Sequence, residues 1–341
     1  VAKKDSQYNG LLIVDKPGRT QSDWPDDEVV QESWPTSHDV VQMARRWSQQ
    51  RRVGHTGTLD PMASGVLVLC LGAATRLVEY YQAHAKQYYA EIVLGCATDT
   101  YDACGTITRR TAGLLPDDAQ VDAALRQFHG TILQTPPLYS AIKQGGESLH
   151  RKARRGEDVQ LEPRPVTFHR LDLLQYEQLP RRARITLRMV CSAGTYVRSL
   201  AHDVGQALGT GAYLDILRRE AAGPFTLADA HTPAQIEAAV RTARFARLLL
   251  PPGERLDMPR IHLSADLITR LGYGQKVVLT AADAWVAATH TAGKEAPVLA
   301  RGVDTQGEFV GVLRYLGPPM AEHSASDRSG TVWKAEKWFA T

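Results

Sequence analysis

Apolar residues fall in strand-like order at several places along the chain. "NGLLIVDKPG" carries a short apolar run, Leu11–Val14, closed by Pro17-Gly18, and reads as a strand entering a turn. "GVLVLCLG" is apolar throughout and short enough to be a buried strand. "YYAEIVLG" and "ARITLRMVCS" alternate instead. In the first, Tyr88, Ala90, Ile92 and Leu94 share one face and Tyr89, Glu91 and Val93 the other. Helical spacing begins at Ser37, which can cap a helix that puts Val40, Met43/Ala44 and Trp47 on one face and Arg45, Arg46 and Gln49 opposite. "AATRLVEYYQAHA", Asp118–Phe128 (stopped at Gly130) and "TYVRSLAHDVGQALG" (ended by Gly209) read as further helices.

Between these elements the pattern breaks in informative places. Arg19–Pro35 is polar and acidic with two Trp-Pro steps, and reads as a loop. Residues 135–160, nearly all of them the run "TPPLYSAIKQGGESLHRKARRGEDV", are basic and interrupted by Pro and Gly. That is too long for an idle connection and reads as a binding loop. Near Leu250 the pattern changes again. "LLLPPGERLDMPR" looks like a linker, and beyond it "QKVVLT", "PVLARGV" and "EFVGVLRYL" form short strands. The expected organisation is therefore a large domain over 1–250 and a small β-rich module over 255–341.

Composition adds little to this until it is resolved along the chain. Hydrophobic residues make up 43% and charged residues 23%, the mix of a globular protein with a proper core. Lys+Arg exceed Asp+Glu only by 40 to 37, for a net charge of +3. Yet arginines bunch at Arg45–Arg52, Arg151–Arg155 and Arg181–Arg188, which together suit a polyanionic partner better than one isolated run would. Cys70, Cys96, Cys104 and Cys191 form no CxxC pair and have no zinc-like His spacing, so a reducing compartment and no metal are expected. The polar start "VAKKDSQYNG" lacks the apolar centre of a signal peptide, and no apolar run approaches a membrane span; a cytoplasmic location is expected.

"VGHTGTLDPMASGVL" carries the first candidate chemistry. Asp60 is fixed by Pro61 at a turn that opens directly onto a buried strand. A carboxylate there is partly dehydrated and rigid, as a nucleophile or electrostatic catalyst must be. Partial burial would raise its pKa, so an ionised Asp60 requires a nearby cation. Spacing alone does not select which one.

Several segments in one order select it by resemblance. "GLLIVDKP", "TSHDVV", "RRVGHTGTLDPMASGVLVLCLGAATRL", "KQYYAEIVLGCATDTYDACG", "PPLYSAIKQGGESLHRKARRGEDV", "PRPVTFHRL" and "CSAGTYVRSLAHDVGQALGTGAYLDILRR" together resemble a bacterial tRNA pseudouridine synthase of the TruB type, over nearly the whole chain. The resemblance implies a mixed α/β (α+β) fold, with a catalytic domain around a central, mostly antiparallel sheet. It also implies a C-terminal PUA-like RNA-binding module. The implied activity is isomerisation of a T-loop uridine of tRNA (position 55) to pseudouridine, by a monomer acting on the T-arm with no guide RNA, metal, cofactor or obligate protein partner.

The same resemblance implies the site. Asp60 in "GTLDP" matches the catalytic aspartate, Tyr88 in "KQYYA" the tyrosine that stacks on the base and is implicated in deprotonating C5, and Arg198 in "GTYVRS" the arginine paired with the aspartate. Tyr196 and Leu217 match target-site contacts, His55 the histidine associated with flipping, and Asp102 an acidic member of the pocket's polar network. Arg151, Lys152, Arg154 and Arg155 lie in the insertion that closes over the T-arm in the family, and imply RNA-backbone contacts. Each residue has a plainer reading alone: core aromatics, a helix-surface charge, a loop cap, an Asx turn. Their joint order sets those aside. Arg19–Pro35, Cys104 in a place often acidic in relatives, and the lengthening stretch "AADAWVAATHTAGKEAP" depart from the family pattern.

The chemistry asks for such residues independently. Making pseudouridine breaks N1–C1′, turns the uracil and joins C5 to C1′. An anion beside the sugar can attack C1′, take a C2′ proton or stabilise positive charge. An aromatic platform retains the freed base, and a base must take the C5 proton. A free tyrosine titrates near ~10, so it needs perturbation or a water relay. Rival expectations are a guide-RNA-dependent relative, a non-catalytic RNA-binding or tRNA-folding protein, and a retaining glycosidase using Asp60 and Asp102, which would leave the basic insertion without a purpose.

Overall fold

Both apolar runs near the N-terminus are continuous because both faces of their strands are covered. Leu12, Val14, Leu67, Leu69 and Leu71 point into one core and Leu11, Ile13, Val66, Val68 and Cys70 into another. The computed structural model describes residues 8–21, 33–111, 113–139, 143–144, 147–148, 161–179, 181–279, 298–318 and 330–340. Most of the Arg19–Pro35 loop and the four basic residues Arg151, Lys152, Arg154 and Arg155 therefore lie outside the described residues.

The chain runs β1 (Gly10–Lys16), α1 (Ser37–Ser48), β2 (Val53–His55), β3 (Ser64–Leu71), a 3₁₀ turn at Gly72–Leu77, α2 (Val78–Gln82), β4 (Lys86–Leu94), β5 (Cys96–Thr98) and β6 (Ile107–Arg110). It continues through α3 (Asp118–Arg126), β7 (Gly130–Gln134), the short pair β8 (Lys143–Gln144) and β9 (Glu147–Ser148), β10 (Arg164–Gln178), β11 (Ala183–Cys191), α4 (Val197–Ala207), β12 (Ala212–Ala222), β13 (Phe225–Thr226) and α5 (Pro233–Arg241). The last part holds β14 (Arg260–His262), α6 (Ala265–Gly272), β15 (Val277–Leu279), β16 (Leu299–Val303), β17 (Phe309–Gly317) and β18 (Thr331–Trp338).

Nine strands make the central sheet, in the order β1-β3-β12-β4-β11-β10-β7, with β2 on β3 and β13 on β12. β3 and β12 pair in parallel; the other pairings of this sheet are antiparallel. Five strands, β14-β16-β17-β18-β15, make the second sheet. The two sheets share a core: Val312 of β17 packs with Leu11, Ile13, Val66 and Leu256. Arg76 ties them further, donating to the Trp338 carbonyl at 2.5 Å and lying over the Phe339 ring.

Two local expectations change. Thr36, not Ser37, caps α1: its Oγ1 accepts from Asp39 N at 3.1 Å while Asp39 Oδ2 accepts from Thr36 N at 2.9 Å, a capping box. Ser37, one residue inside the helix, is drawn away to Leu59. The segment read as one helix, "AATRLVEYYQAHA", is a 3₁₀ turn followed by the short α2, because the chain must reverse at once into β4.

Candidate active site

The loop carrying Asp60 is permissive in sequence and clamped in structure. Before the aspartate, Ser37 Oγ donates to Leu59 O at 2.9 Å and accepts from Leu59 N at 2.8 Å. After it, the Lys16 ammonium donates to the carbonyls of Pro61 and Ala63, each at 2.7 Å, and to Pro17 at 3.0 Å. Arg219 reaches the loop from β12, donating Nη2 to Gly57 O at 3.2 Å, Nη1 to Thr58 O at 3.4 Å and Nε to Val66 O at 2.6 Å. Gly18 lets the "DKPG" turn press onto the same loop, since a Cβ there would stand 2.4 Å from Met62 O. So the carboxylate is set by three side chains from three elements.

The cation that Asp60 requires is Arg198. From the first turn of α4 it donates Nε to Asp60 Oδ2 at 2.8 Å and Nη2 to Asp60 Oδ1 at 3.0 Å, a bidentate pair. Nη1 donates to Thr100 O at 3.2 Å and Nη2 also to Tyr139 O at 2.9 Å, which fixes the guanidinium plane. Arg198 is 4% exposed, so it is no helix-surface charge. The Asp60 side chain keeps 31% of its surface exposed and is open to an incoming group. Asp102 Oδ2 stands 3.6 Å from Arg198 Nε. Its other oxygen accepts from Thr100 Oγ1 at 2.6 Å and from Cys104 N at 3.1 Å, and burial pushes its carboxyl above the usual range against the pull of Arg198.

Asp60 and Arg198 border a cavity of about 320 Å³ whose wall also carries Tyr88, Tyr196 and Leu217. Strand register explains the grouping. Tyr88 on β4 sits opposite Met189 of β11 and Arg219 of β12, and Leu217 lies opposite Ala90, two residues along. Tyr196 immediately precedes α4, its backbone N and O held by the Gln134 amide at 2.9 and 3.0 Å. Burial raises the Tyr88 phenol, and the Arg219 guanidinium, which hydrogen-bonds it, works in the opposite direction.

Asp102 lines a neighbouring cavity of about 510 Å³ that shares Asp60 and Arg198 with the first. His55 lines neither; its Nδ1 accepts from Gly57 N at 3.3 Å, and burial, then Arg219, lowers its pKa. Three polar residues of the site went unassigned from sequence: Lys16, Lys86 and Arg219. Each stands inside a motif already singled out, "DKP", "KQYYA" and "ILRR"; Lys86 shares a face of β4 with Tyr88 by simple alternation, but only cross-strand register shows that Arg219 lies beside Tyr88. Among the described residues no cluster of His, Cys, Asp and Glu is arranged to hold a metal ion.

Known proteins share this arrangement of segments. Residues 45–197 match the TruB family pseudouridylate synthase (N terminal domain), and residues 198–256 match the tRNA pseudouridylate synthase B C-terminal domain. A tRNA pseudouridine synthase B of Symbiobacterium thermophilum is 46% identical over 70% of this chain and 78% of its own. One from an Arthrobacter species is 39% identical over 91% of this chain and 94% of its own. Among solved structures, the archaeal box H/ACA sRNP Nop10-Cbf5 complex superposes with a TM-score of 0.65 at 24% identity, covering 97% of this chain and 86% of that one, a likeness of fold. The two matched segments meet at Val197–Arg198, at the start of the helix that brings Arg198 to Asp60. With its sheet, its clamped aspartate and relatives matched over most of its length, the chain belongs to the TruB family of pseudouridylate synthases.

Proposed function

We propose that this chain isomerises a uridine in the T loop of tRNA, at position 55, to pseudouridine, and does so without a guide RNA. The observation that carries the reading is Asp60, a half-buried carboxylate gripped at both oxygens by a buried arginine on the edge of a cavity. At about 320 Å³ that cavity is within the usual range of small-ligand sites, roughly 300–1,000 Å³. The bidentate pair uses one lone pair on each Asp60 oxygen and leaves the others for substrate.

A uridine stacked inside an RNA loop reaches such a cavity only after extrusion, at a cost of a few kcal/mol. Tyr88 then supplies a face on which the uracil rests while it is detached. Asp60 meets the ribose, where it compensates the electron deficiency of C1′ as N1 departs. Tyr196 and Leu217 complete the walls, and the Asp102 carboxylate faces Arg198 Nε, the nitrogen that also donates to Asp60. His55, off the cavity wall, acts on the RNA stack that the uridine leaves. The basic residues Arg151, Lys152, Arg154 and Arg155 contact the T-arm backbone, the 255–341 module adds RNA contacts, and the working unit is a monomer. Among the described residues no helix is long and apolar enough to cross a membrane.

The bacterial relatives named tRNA pseudouridine synthase B support the guide-independent reading. Incubation of the purified protein with an unmodified tRNA transcript and no other RNA, followed by pseudouridine mapping, tests it. Product at the T-loop uridine is expected. Product elsewhere, or only after a guide RNA is added, would overturn it.

A further inference from the structure

Among the described residues, two buried cations in the pocket have no carboxylate to answer them. Lys86 opens β4 two residues before Tyr88, on the same face, and Arg219 is the cross-strand partner of Tyr88 on β12. Both line the cavity that holds Asp60 and Arg198. They meet at the Gly57 wall, where an added Cβ would lie 3.9 Å from Lys86 Cε and 3.8 Å from Arg219 Nη1. Among the described residues, neither has an ion pair within 4.0 Å, whereas Asp60 is already paired with Arg198. With Lys86 protonated, the charged residues of the wall, Asp60 against Lys86, Arg198 and Arg219, leave a surplus of two positive charges.

Hydrogen-bond accounting sharpens the point. Arg219 directs Nε, Nη1 and Nη2 at the carbonyls of Val66, Thr58 and Gly57. The Lys86 ammonium donates to Gln82 O and His84 O, each at 2.5 Å, which hold it at the C-terminal end of α2. An ammonium has three protons, so one is left without a partner among the described residues. Burying an unanswered cation is costly, and a fold that retains one beside a reacting group has a use for it.

We propose that Lys86, with Arg219 beside it, stabilises the negative charge that uracil acquires as its glycosidic bond breaks. The inference rests on the pseudouridine synthase reading of this pocket and adds a catalytic residue to it. As N1–C1′ breaks, the bonding pair leaves with the base, giving a uracil anion with charge on N1, O2 and O4. The electron-poor C1′ is compensated by Asp60. A C5–C1′ bond then forms from the ring's π electrons, which neutralises the anion and returns the Asp60 carboxylate. Loss of the C5 proton and protonation of N1 complete the isomerisation with no other reactant. Asp60 thus answers the positive end of the charge separation and Lys86 the negative end, donors fixed in advance where charge develops.

The test compares uridine with 5-fluorouridine at the target position of a T-arm stem-loop. Fluorine stabilises the uracil anion, so the fluorinated base needs less help in leaving. Under enzyme excess, consumption of the target nucleoside is timed for wild type, Lys86→Met and Lys86→Arg, and RNA affinity is measured for each. The expected result is a loss of about 100-fold with Lys86→Met on uridine, as for removal of one oxyanion donor. The loss should be clearly smaller on 5-fluorouridine, with RNA affinity unchanged and most of the rate restored in Lys86→Arg. An equal loss on both substrates, or a loss confined to RNA affinity as for a phosphate-holding lysine, overturns the proposal. A wild-type protein that leaves uridine untouched refutes the underlying reading instead, and so separates the two failures.

Discussion

Arg198 holds both oxygens of Asp60, at 2.8 Å from Nε and 3.0 Å from Nη2, and is itself held by two backbone carbonyls. The carboxylate therefore cannot rotate without breaking a bond to a side chain that cannot follow it. A lysine at 198 would keep the charge and lose the fork. Arg198→Lys is expected to bind a T-arm stem-loop as wild type does and to form pseudouridine about 100-fold more slowly, the scale of a misplaced reacting group. Single-turnover rates beside binding isotherms check this.

The clamp on the other side of the loop is Lys16, fully buried and spread over three carbonyls. Lys16→Met keeps most of the side-chain volume but leaves those acceptors without their donor. Urea unfolding is expected to show a loss of about 2 kcal/mol, the scale of a lost charge-assisted hydrogen bond. Activity should fall more than stability explains, since the freed carbonyls are those of Pro61 and Ala63, in the turn that directly follows Asp60.

Burial lowers both Lys86 and Lys16 from 10.5 to about 8. The groups acting on Lys86 are Arg219, which lowers it further, and the Cys191 thiol, which opposes; Tyr88 lies on the same face. Because the ammonium forms are the working ones, the rate of isomerisation should fall as pH rises through about 8. Stability responds with the opposite sign. The folded chain sheds these protons before the unfolded chain does, so their contribution to stability rises between about 8 and 10.5. Activity lost in that window with the fold intact is the expected signature, read by pH-rate profiles beside thermal melts. Lys86→Arg should keep only the part of the alkaline fall that belongs to Lys16.

Much of this was readable in the chain. The alternation of "YYAEIVLG" places Tyr88, Ala90, Ile92 and Leu94 in one core, where they are found. The unbroken runs of β1 and β3 announced burial, though not that the second face is covered by the C-terminal sheet. β10 escaped the pattern because most of its length is half-exposed and its alternation is interrupted by bulges. β12 escaped because Asp215, Arg218, Arg219 and Glu220 interrupt its apolar run. Three of those charges are absorbed by partners brought from afar: Arg19 for Asp215, Asp15 for Arg218 and Arg188 for Glu220. Arg219 went unassigned because its neighbours are set by strand register, which one sequence does not display. Lys86 shares a face with Tyr88 by alternation, but the carbonyls that hold its ammonium come from the end of α2 and the turn after it.

The most direct measurement is pseudouridine formation by Asp60→Asn on a T-arm stem-loop under enzyme excess, with RNA binding followed in the same samples. Asparagine keeps the shape of the side chain and removes its charge. The result expected is binding at wild-type strength with the isomerisation rate down by more than about 1,000-fold, the scale on which removal of a nucleophile acts. Pseudouridine formed by Asp60→Asn at a rate near that of wild type would contradict the claim that an ionised carboxylate, steadied by Arg198, drives the chemistry.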